Sequence, residues 1–216
     1  MRLPSLMELI FPSRCVFCYE FTHPRERACP DCLRDLNEVR KLDRKIPFAR
    51  KTVALWYYED HVRNSLLRFK FGRKRHYARY YGEALVSRLL QEDLPVDLIT
   101  WVPVSRLRRF KRGYDQVQLI ARTISKSIAI PSKRCLRKIK NNPPQSGIVG
   151  EAQKRANVLG VYRAVGMEQF QGKRVLLLDD IITTGATISE CTKVLLTAGA
   201  KEVYCAAVAV ARNMKK

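Results

Sequence analysis

Two strand-length segments, "RVLLLD" at residues 174–179 and "EVYCAAVAVA" at residues 202–211, are apolar almost throughout and constrain the fold most. Strands that are apolar on both faces are typical of parallel sheets covered by helices on both sides. Between them, residues 187–198 carry apolar side chains at helical spacing, and Gly199 suits the end of that helix. The sequence therefore predicts an α/β fold with a mostly parallel sheet. Further strands are predicted at residues 52–58, 97–104 and 134–139, and further helices at residues 76–91 and 113–127.

The segment "VLLLDDIITTGAT" (residues 175–187) places two acids and a Thr-Gly turn between a buried strand and a helix. Ligands of such sheets bind beyond the carboxyl ends of the strands, where Asp179 and Asp180 are expected. The N–H groups at a helix start can bind a phosphate, and Gly185 allows close approach. Ribose 5-phosphate would satisfy both halves of this pattern. The same spacing also suits aspartates that only cap a turn. Hydroxyl donors to a phosphate would come from Thr183, Thr184 and Thr187.

Two C-x-x-C pairs lie ten residues apart near the amino terminus. Two such turns can close four thiolates around one Zn²⁺, which predicts a structural zinc site. Two redox dithiols or two disulfides are the alternatives. His23 is expected to be solvated, and the three scattered cysteines, at positions 135, 191 and 205, are expected to be buried and reduced. The predicted ligands are Cys15, Cys18, Cys29 and Cys32.

The chain is strongly basic, with 41 Lys and Arg against 20 Asp and Glu, a formal net charge of +21. Residues 116–150 contain no acid. Such a field attracts nucleic acid, anionic membrane or phosphorylated small molecules. No apolar run approaches the roughly 20 residues that span a bilayer, so we expect no membrane insertion and a cytoplasmic location. Aromatic side chains near the basic stretches could stack on bases or fill the core; they are Trp56, Tyr57, Tyr58, Phe69, Phe71, Tyr77, Tyr80 and Tyr81.

The segment at residues 175–187 looks like the phosphoribosyl-pyrophosphate (PRPP) signature of type I phosphoribosyltransferases. The order of motifs around it is similar to the ComF family of bacterial competence proteins: a four-cysteine head, "RFKFG", "VPVSRLRRFKRGYDQ" and "PPQSGIVGEAQKRANVLGVY". The resemblance implies a type I phosphoribosyltransferase-like fold, PRPP as ligand, Mg²⁺ bound with it, and a role in DNA uptake. It also implies single-stranded DNA and other competence-machinery proteins as candidate partners.

The resemblance assigns roles to particular residues. Asp179 and Asp180 would hold the ribose hydroxyls, while Lys70 and Arg112 would join them in the catalytic machinery, the lysine reaching the pyrophosphate. The 5-phosphate would bind Thr183, Thr184, Gly185, Ala186 and Thr187. The pyrophosphate loop would include Val104, Ser105 and Arg106, and a closing arm would bring Gln145, Arg155 and Asn157. "RGYDQ" matches a family pattern that includes Gln116.

One departure bears on the substrate. Purine-salvage members carry an acid at the position of Thr183, where it serves as general base, so the threonine argues against ordinary purine salvage. We predict a zinc module and linker at residues 1–50 and a phosphoribosyltransferase-like domain at residues 51–216, with a flexible arm at about 140–165. Two functions stay open: transfer of phosphoribose from PRPP with release of pyrophosphate, or a non-catalytic scaffold that binds single-stranded DNA.

Overall fold

The computed structural model describes residues 12–140, 153 and 156–212. The amino-terminal part contains helix α1, Pro30–Asp35, followed by strand β1, Lys51–Tyr57. Four helices and one strand come next: α2, Asp60–Phe71; α3, Tyr77–Gln91; β2, Leu98–Trp101; α4, Arg106–Arg112; α5, Gln116–Ile128. The rest contains β3, Leu136–Lys138; β4, Tyr162–Ala164; a 3-10 turn, Met167–Gln169; β5, Arg174–Ile182; α6, Ala186–Thr197; and β6, Glu202–Val210.

Among the described residues, the main sheet has four strands in the order β1-β6-β5-β2, and all three of its pairings are parallel. Its register sets Leu177 of β5 opposite Cys205 of β6 and Thr100 of β2. Both apolar strands lie in the interior of the sheet, which explains why neither shows an alternating polar face. The predicted α/β fold with a mostly parallel sheet is confirmed.

Helices cover both faces of this sheet. On one face Leu176 and Leu178 pack in the core that α3 and α5 share, with Tyr81 and Ile120 as large buried members. On the other face Leu177 packs in a second core, which α6 supplies with Ile188, Cys191 and Leu195. Neighbouring residues of β5 therefore serve opposite cores, as the two-residue period of a strand requires. Cys135, Cys191 and Cys205 are all fully buried, as predicted.

Three predicted elements differ from the structure. Strand β5 continues to Ile182, which pairs with Val210, so Asp179 and Asp180 lie inside the strand rather than after it. Strand β2 ends at Trp101, two residues before Pro103, which has no N–H to donate to a ladder. Strand β3 lies outside the main sheet, where it pairs antiparallel with β4 as a small separate sheet.

The amino-terminal segment packs directly on the main sheet. Phe17 lies edge-on to Trp56 with ring centres 5.4 Å apart, and it belongs to the same core as Cys15. Ile46, within the predicted zinc module and linker at residues 1–50, is buried in the other core. The division of the chain at residue 50 stays a prediction.

Within the described residues no helix is long and apolar enough to cross a membrane.

Candidate functional site

A cleft of about 660 Å³ opens at the carboxyl ends of β5 and β2. Strand β5 supplies two acids, α2 supplies a lysine at its last turn, α4 supplies an arginine, and α5 supplies a glutamine as its first residue. The turn after β5 closes one end. The residues on which the chemistry of the cleft depends are Lys70, Arg112, Gln116, Asp179, Asp180 and Gly185. The cleft therefore brings together residues from four separate segments of the chain.

Asp180 is held by two partners before any ligand binds. Its Oδ2 lies 3.1 Å from Lys70 Nζ and accepts a hydrogen bond from Gln116 Nε2 at 2.7 Å. Only 2% of Gln116 is exposed, and its Oε1 has no hydrogen-bond partner among the described residues. The amide cannot be reversed, because Oε1 would then face a carboxylate. Gln116 thus offers a buried acceptor in the lining of the cleft.

Asp179 lies in a less favourable setting for its charge. Burial raises the pKa of this carboxyl well above 3.8, and the charge of Asp180 adds to the effect. Its Oδ1 accepts the backbone N–H of Asp180 at 2.8 Å, which partly offsets that cost. The negative charge of Asp179 is therefore unfavourable in the ligand-free protein. A hydroxyl donor or a cation beside this carboxylate would stabilise it.

A basic segment that includes Arg108, Lys111 and Arg112 lines another part of the cleft. Burial lowers the pKa of Arg112, whose guanidinium carbon lies 5.0 Å from the centre of the Phe71 ring. Ser105 caps α4 by accepting the N–H of Arg108 at 3.3 Å. Asp115 caps α5 through the N–H of Gln118 at 3.2 Å. Of the three residues predicted for a pyrophosphate loop, Val104 lines the cleft, Ser105 serves as a cap, and Arg106 lines a smaller cavity.

The turn after β5 has a geometry that requires glycine. Gly185 has φ 81°, and a Cβ there would lie 2.6 Å from Ile46 Cδ1. Thr184 Oγ1 accepts the N–H of Ala186, the first residue of α6, at 3.4 Å. Of the five residues predicted to bind the 5-phosphate, Thr183, Gly185 and Thr187 line the cleft, and the other two flank the glycine.

Arg44 stabilises this turn through hydrogen bonds, a role that could not be predicted from the sequence. Its guanidinium donates to the carbonyl of Thr183 and, at 2.7 Å, to the carbonyl of Ala211. Ile46 contacts the same turn next to Gly185. Both residues lie in a stretch whose many charges are typical of a linker, and no motif marks them as part of a site.

The small sheet of β3 and β4 forms a further wall that sequence reasoning missed. Tyr162 and Lys138 both line the cleft, with the lysine Nζ 5.6 Å from the centre of the tyrosine ring. Burial lowers the pKa of Lys138 to about 8, and the charge of Arg108 is the next largest cause. Val158 also lines the cleft and is buried, although it falls within the arm at about 140–165 that was predicted to be flexible.

The four amino-terminal cysteines meet in one cluster. Their Sγ atoms all lie within 4.8 Å of one another, and those of Cys18 and Cys29 are 3.8 Å apart. Four sulfurs around one Zn²⁺ at about 2.3 Å would be separated by about 3.8 Å, so the donor set fits a tetrahedral metal ion. Burial opposes ionisation of Cys15, but N–H donors led by that of Cys29 outweigh it and lower the pKa to about 7. In the described part of the chain all the cysteines are free, which does not support the two-disulfide alternative.

The comparisons with known proteins agree with this geometry. Residues 101–216 match the phosphoribosyl transferase domain family. Over 161 residues the chain is 31% identical to Competence protein F of Haemophilus influenzae, covering 71% of this chain and 69% of that protein. The chain belongs to the ComF family of phosphoribosyltransferase-type proteins. It is also 25% identical to the DNA utilization protein YhgH of Escherichia coli K12, over 88% of each chain.

Among solved structures, this ComF-family chain is similar to the glutamine PRPP amidotransferase of B. subtilis complexed with ADP and GMP. The identity is 27% and the TM-score 0.41, and the match covers 60% of this chain. The chain spans about a quarter of that protein's length, 26%.

The roles that the ComF resemblance assigns to single residues stay predictions. The structure gathers Lys70, Arg112, Asp179 and Asp180 in one cleft. Gln145 and Arg155, predicted to reach the site from an arm, lie outside the described residues.

In this ComF-family chain, helix α2 connects the cysteine cluster to the cleft. Ser65 Oγ and the Arg68 guanidinium hydrogen-bond the carbonyl of Val16, and Arg68 also donates to the carbonyl of Phe17. These carbonyls belong to the loop between the first two cysteines. Lys70 follows in the last turn of the same helix and reaches the acids of the cleft. The position of Lys70 thus depends on the loop that the cysteines fold.

The aromatic residues considered for base stacking lie mostly in the core. Trp56, Phe69, Tyr77 and Tyr81 are buried. They pack against one another, for example with 5.4 Å between the ring centres of Phe69 and Tyr81. The core interpretation is therefore correct for these four, while Phe71 is 67% exposed.

Proposed function

We propose that this chain binds PRPP with Mg²⁺ in the cleft and transfers phosphoribose from it, with release of pyrophosphate, in DNA uptake or utilisation. The observation that carries the proposal is one cleft that combines paired acids, a glycine turn at a helix start and several cations. These groups complement the hydroxyls, the 5-phosphate and the diphosphate of PRPP respectively. The names of the relatives support the link to DNA.

Each wall of the cleft would have its own task. Asp179 and Asp180 accept hydrogen bonds from the ribose hydroxyls and orient the ring. The N–H groups and hydroxyls around Gly185 hold the 5-phosphate. Arg112 and Lys70 attract the diphosphate and stabilise its charge as it leaves. Mg²⁺ bound together with PRPP near Asp179 and Asp180 would supply further charge neutralisation to the leaving group. Positioning and electrostatics would thus account for most of the rate acceleration.

The turn also bears on the acceptor. Thr183 lines the cleft where purine-salvage members of the fold carry an acid, so no carboxylate is available at that point to deprotonate a purine. We therefore propose an acceptor other than the common purine bases. The cysteine cluster holds Zn²⁺ in this proposal and has a structural task, since four thiolates leave no open coordination position. We further propose a cytoplasmic location, where the thiols would stay reduced.

Calorimetry with PRPP and MgCl₂ tests the binding step. The Asp179→Asn/Asp180→Asn variant should bind PRPP at least 100-fold more weakly than the wild-type protein, because two charged acceptors are lost. The matched control is Asp93→Asn/Glu168→Gln, which removes the same charge from exposed positions. Equal affinity of the double-aspartate variant and the wild-type protein would exclude the assignment. A screen for pyrophosphate release across bases, amines and nucleic acids then tests turnover.

A second candidate function is binding of single-stranded DNA without turnover. The observation that favours it is a pair of exposed rings in basic surroundings: Phe110 is 87% exposed and Phe71 67%. Phe110 lies on α4 between Arg109 and Lys111. Bases stack on such rings at about 1–3 kcal/mol each. Phe110→Ala should weaken oligonucleotide binding several-fold without changing PRPP affinity. An oligonucleotide affinity that does not fall with added salt would exclude this electrostatic mode.

A further inference from the structure

A second cavity, of about 270 Å³, adjoins the cleft. The two share Lys138, which lines both. Among the described residues, five line the second cavity, of which four are cationic and none is acidic; they are Arg106, Arg137, Lys138, Ile139 and Lys140.

The second cavity gathers several positive charges. Within residues 12–140, 153 and 156–212, none of the four forms an ion pair with a carboxylate. Like charges gathered around one cavity repel each other, and an anion bound there would offset this repulsion. Burial and the charge of Arg108 lower the pKa of Lys138 to about 8, although the charge of Asp179 in the adjoining cleft acts in the opposite direction. The arrangement therefore favours an anion in the cavity.

The neighbouring cleft wall indicates what the anion belongs to. Tyr162 is 7% exposed and lines the cleft, with Lys138 Nζ 5.6 Å from the centre of its ring. An occupant that extends from the second cavity into the cleft would therefore pass from cations to an aromatic wall. A nucleotide has this order of groups, with a phosphate at one end and a planar base at the other. Arginine is well suited to the phosphate, which it can bind through two parallel hydrogen bonds.

We propose that the second cavity binds a phosphate group of the phosphoribosyl acceptor, so that the acceptor is a nucleotide, either free or within a strand. The proposal rests on the proposed function. In the transfer, a nitrogen or oxygen of the acceptor forms a bond to C1 of the ribose. The bond from C1 to the diphosphate oxygen breaks, and its electron pair leaves with pyrophosphate. The proton of the attacking group passes to solvent.

Two residues separate this subsite from the PRPP site. Arg137 and Lys140 line only the second cavity, whereas Lys138 also lines the cleft and Arg106 belongs to the predicted pyrophosphate loop. The test variant is therefore Arg137→Met/Lys140→Met. Its matched control is Arg122→Met/Lys126→Met, which removes the same charge from exposed positions on α5 that line neither cavity.

Calorimetry on the full chain compares the four deoxynucleoside 5′-monophosphates with the matching nucleosides. At least one nucleotide should bind about tenfold more tightly than its nucleoside to the wild-type protein. The test variant should lose about tenfold in affinity for that nucleotide and keep its affinity for PRPP, while the control variant keeps both. A 12-residue thymidine oligonucleotide distinguishes the sources: for a strand, the slope of log K against log salt should fall by about 1.4 in the test variant only.

Proton uptake gives an independent readout. An anion beside Lys138 raises the pKa of this lysine from its value of about 8, so binding at pH 8 should take up as much as about half a proton. Calorimetry in buffers of different ionisation enthalpy measures this uptake. Lys138→Met should abolish it.

Three results would overturn the inference. Equal affinities for nucleotides and nucleosides would exclude a phosphate subsite. Equal losses in the test and control variants would identify a merely solvated basic surface. A loss of PRPP affinity in the test variant would assign the cavity to the pyrophosphate instead. Failure of the wild-type protein to bind PRPP would contradict the proposed function, whereas the nucleotide data decide this inference separately.

Discussion

Lys70 Nζ lies 3.1 Å from Asp180 Oδ2, so the cation proposed for the diphosphate contacts an acid proposed for the ribose in the ligand-free protein. The side chains of both residues are mostly buried, 17% and 9% exposed, and solvent screens their attraction only in part. Gln116 shares the same carboxylate oxygen at 2.7 Å. The side chain of Asp180 is thus oriented before the ligand binds, which reduces the conformational entropy that is lost on binding.

The Lys70→Met variant tests this contact. The substitution removes a cation from the diphosphate and one of the two partners of Asp180, so PRPP affinity measured by calorimetry should fall at least tenfold. Arg63→Met removes an equal charge from an exposed position of the same helix and should leave the affinity unchanged. Wild-type affinity in Lys70→Met would show that the pair has no part in binding.

Asp179→Asn should stabilise the ligand-free protein. Burial and the neighbouring Asp180 raise the pKa of Asp179 above 3.8, its ordinary value. As the pH rises, the unfolded state therefore loses this proton first, and the charged carboxylate destabilises the folded state at neutral pH. The variant should gain about 1 kcal/mol or more in free energy of unfolding at pH 7, with the gain vanishing below about pH 4.

Urea denaturation at several pH values measures this gain, and calorimetry of the same variant should show weakened PRPP binding. A lower free energy of unfolding at pH 7 than that of the wild-type protein would contradict the raised pKa. A variant that is more stable but binds PRPP more weakly is expected when the native residue serves ligand binding at the expense of stability.

Gly185→Ala should cost stability for two separable reasons. The φ of 81° disfavours any Cβ, and the added Cβ would lie 2.6 Å from Ile46 Cδ1. Gly172→Ala is the control for the first cause, because its φ is 70° and nothing lies within 4 Å of the added atom. Urea denaturation should show a loss of about 1–2 kcal/mol in the control and a larger loss in Gly185→Ala.

The Ile46→Val substitution removes the crowded Cδ1 atom and completes this test. Added to Gly185→Ala, it should recover part of the lost stability, because the two residues contact each other and their effects are not additive. Strictly additive losses would show that Ile46 does not crowd the turn.

Metal removal should affect the cleft through α2. A chelator, or Cys18→Ser, should lower the melting temperature, because the loop between Cys15 and Cys18 would lose the proposed zinc ion. Lys70 would lose its fixed position, so PRPP affinity should fall as well. Arg68→Met separates the two effects: it should keep the full metal content by elemental analysis and still bind PRPP more weakly. Loss of the metal without any change in PRPP affinity would contradict the connection.

The fold and the acids of the site could be predicted because their signals are local. An apolar run, two aspartates and a Thr-Gly turn are contiguous in residues 175–187, and the structure places them on one strand and the following turn. The four cysteines are likewise spaced as their cluster requires. The end of β5 was misplaced because its last pairs depend on Val210, about 30 residues further along the chain.

The remaining walls of the site could not be predicted because they depend on tertiary packing. Arg44 reaches Thr183 across 139 positions of the sequence, and its own neighbourhood shows only charges. Lys138 lines the cleft because β3 pairs with β4 beside it, outside the main sheet. The aromatic residues near α2 and α3 have the composition of a base-stacking surface, but helical spacing directs Tyr77 and Tyr81 into the core.

The position of β6 has a consequence for synthesis on the ribosome. This strand is the last of the sheet in the chain, yet it lies between β1 and β5. Strands β1 and β5 therefore stay without their common neighbour until residues 202–210 have left the exit tunnel. The four cysteines emerge first and can fold their loop early, whereas the acids of β5 are fixed only near the end of translation. We expect nascent chains that stop before residue 202 to bind zinc, to expose two apolar strand edges and to require chaperones.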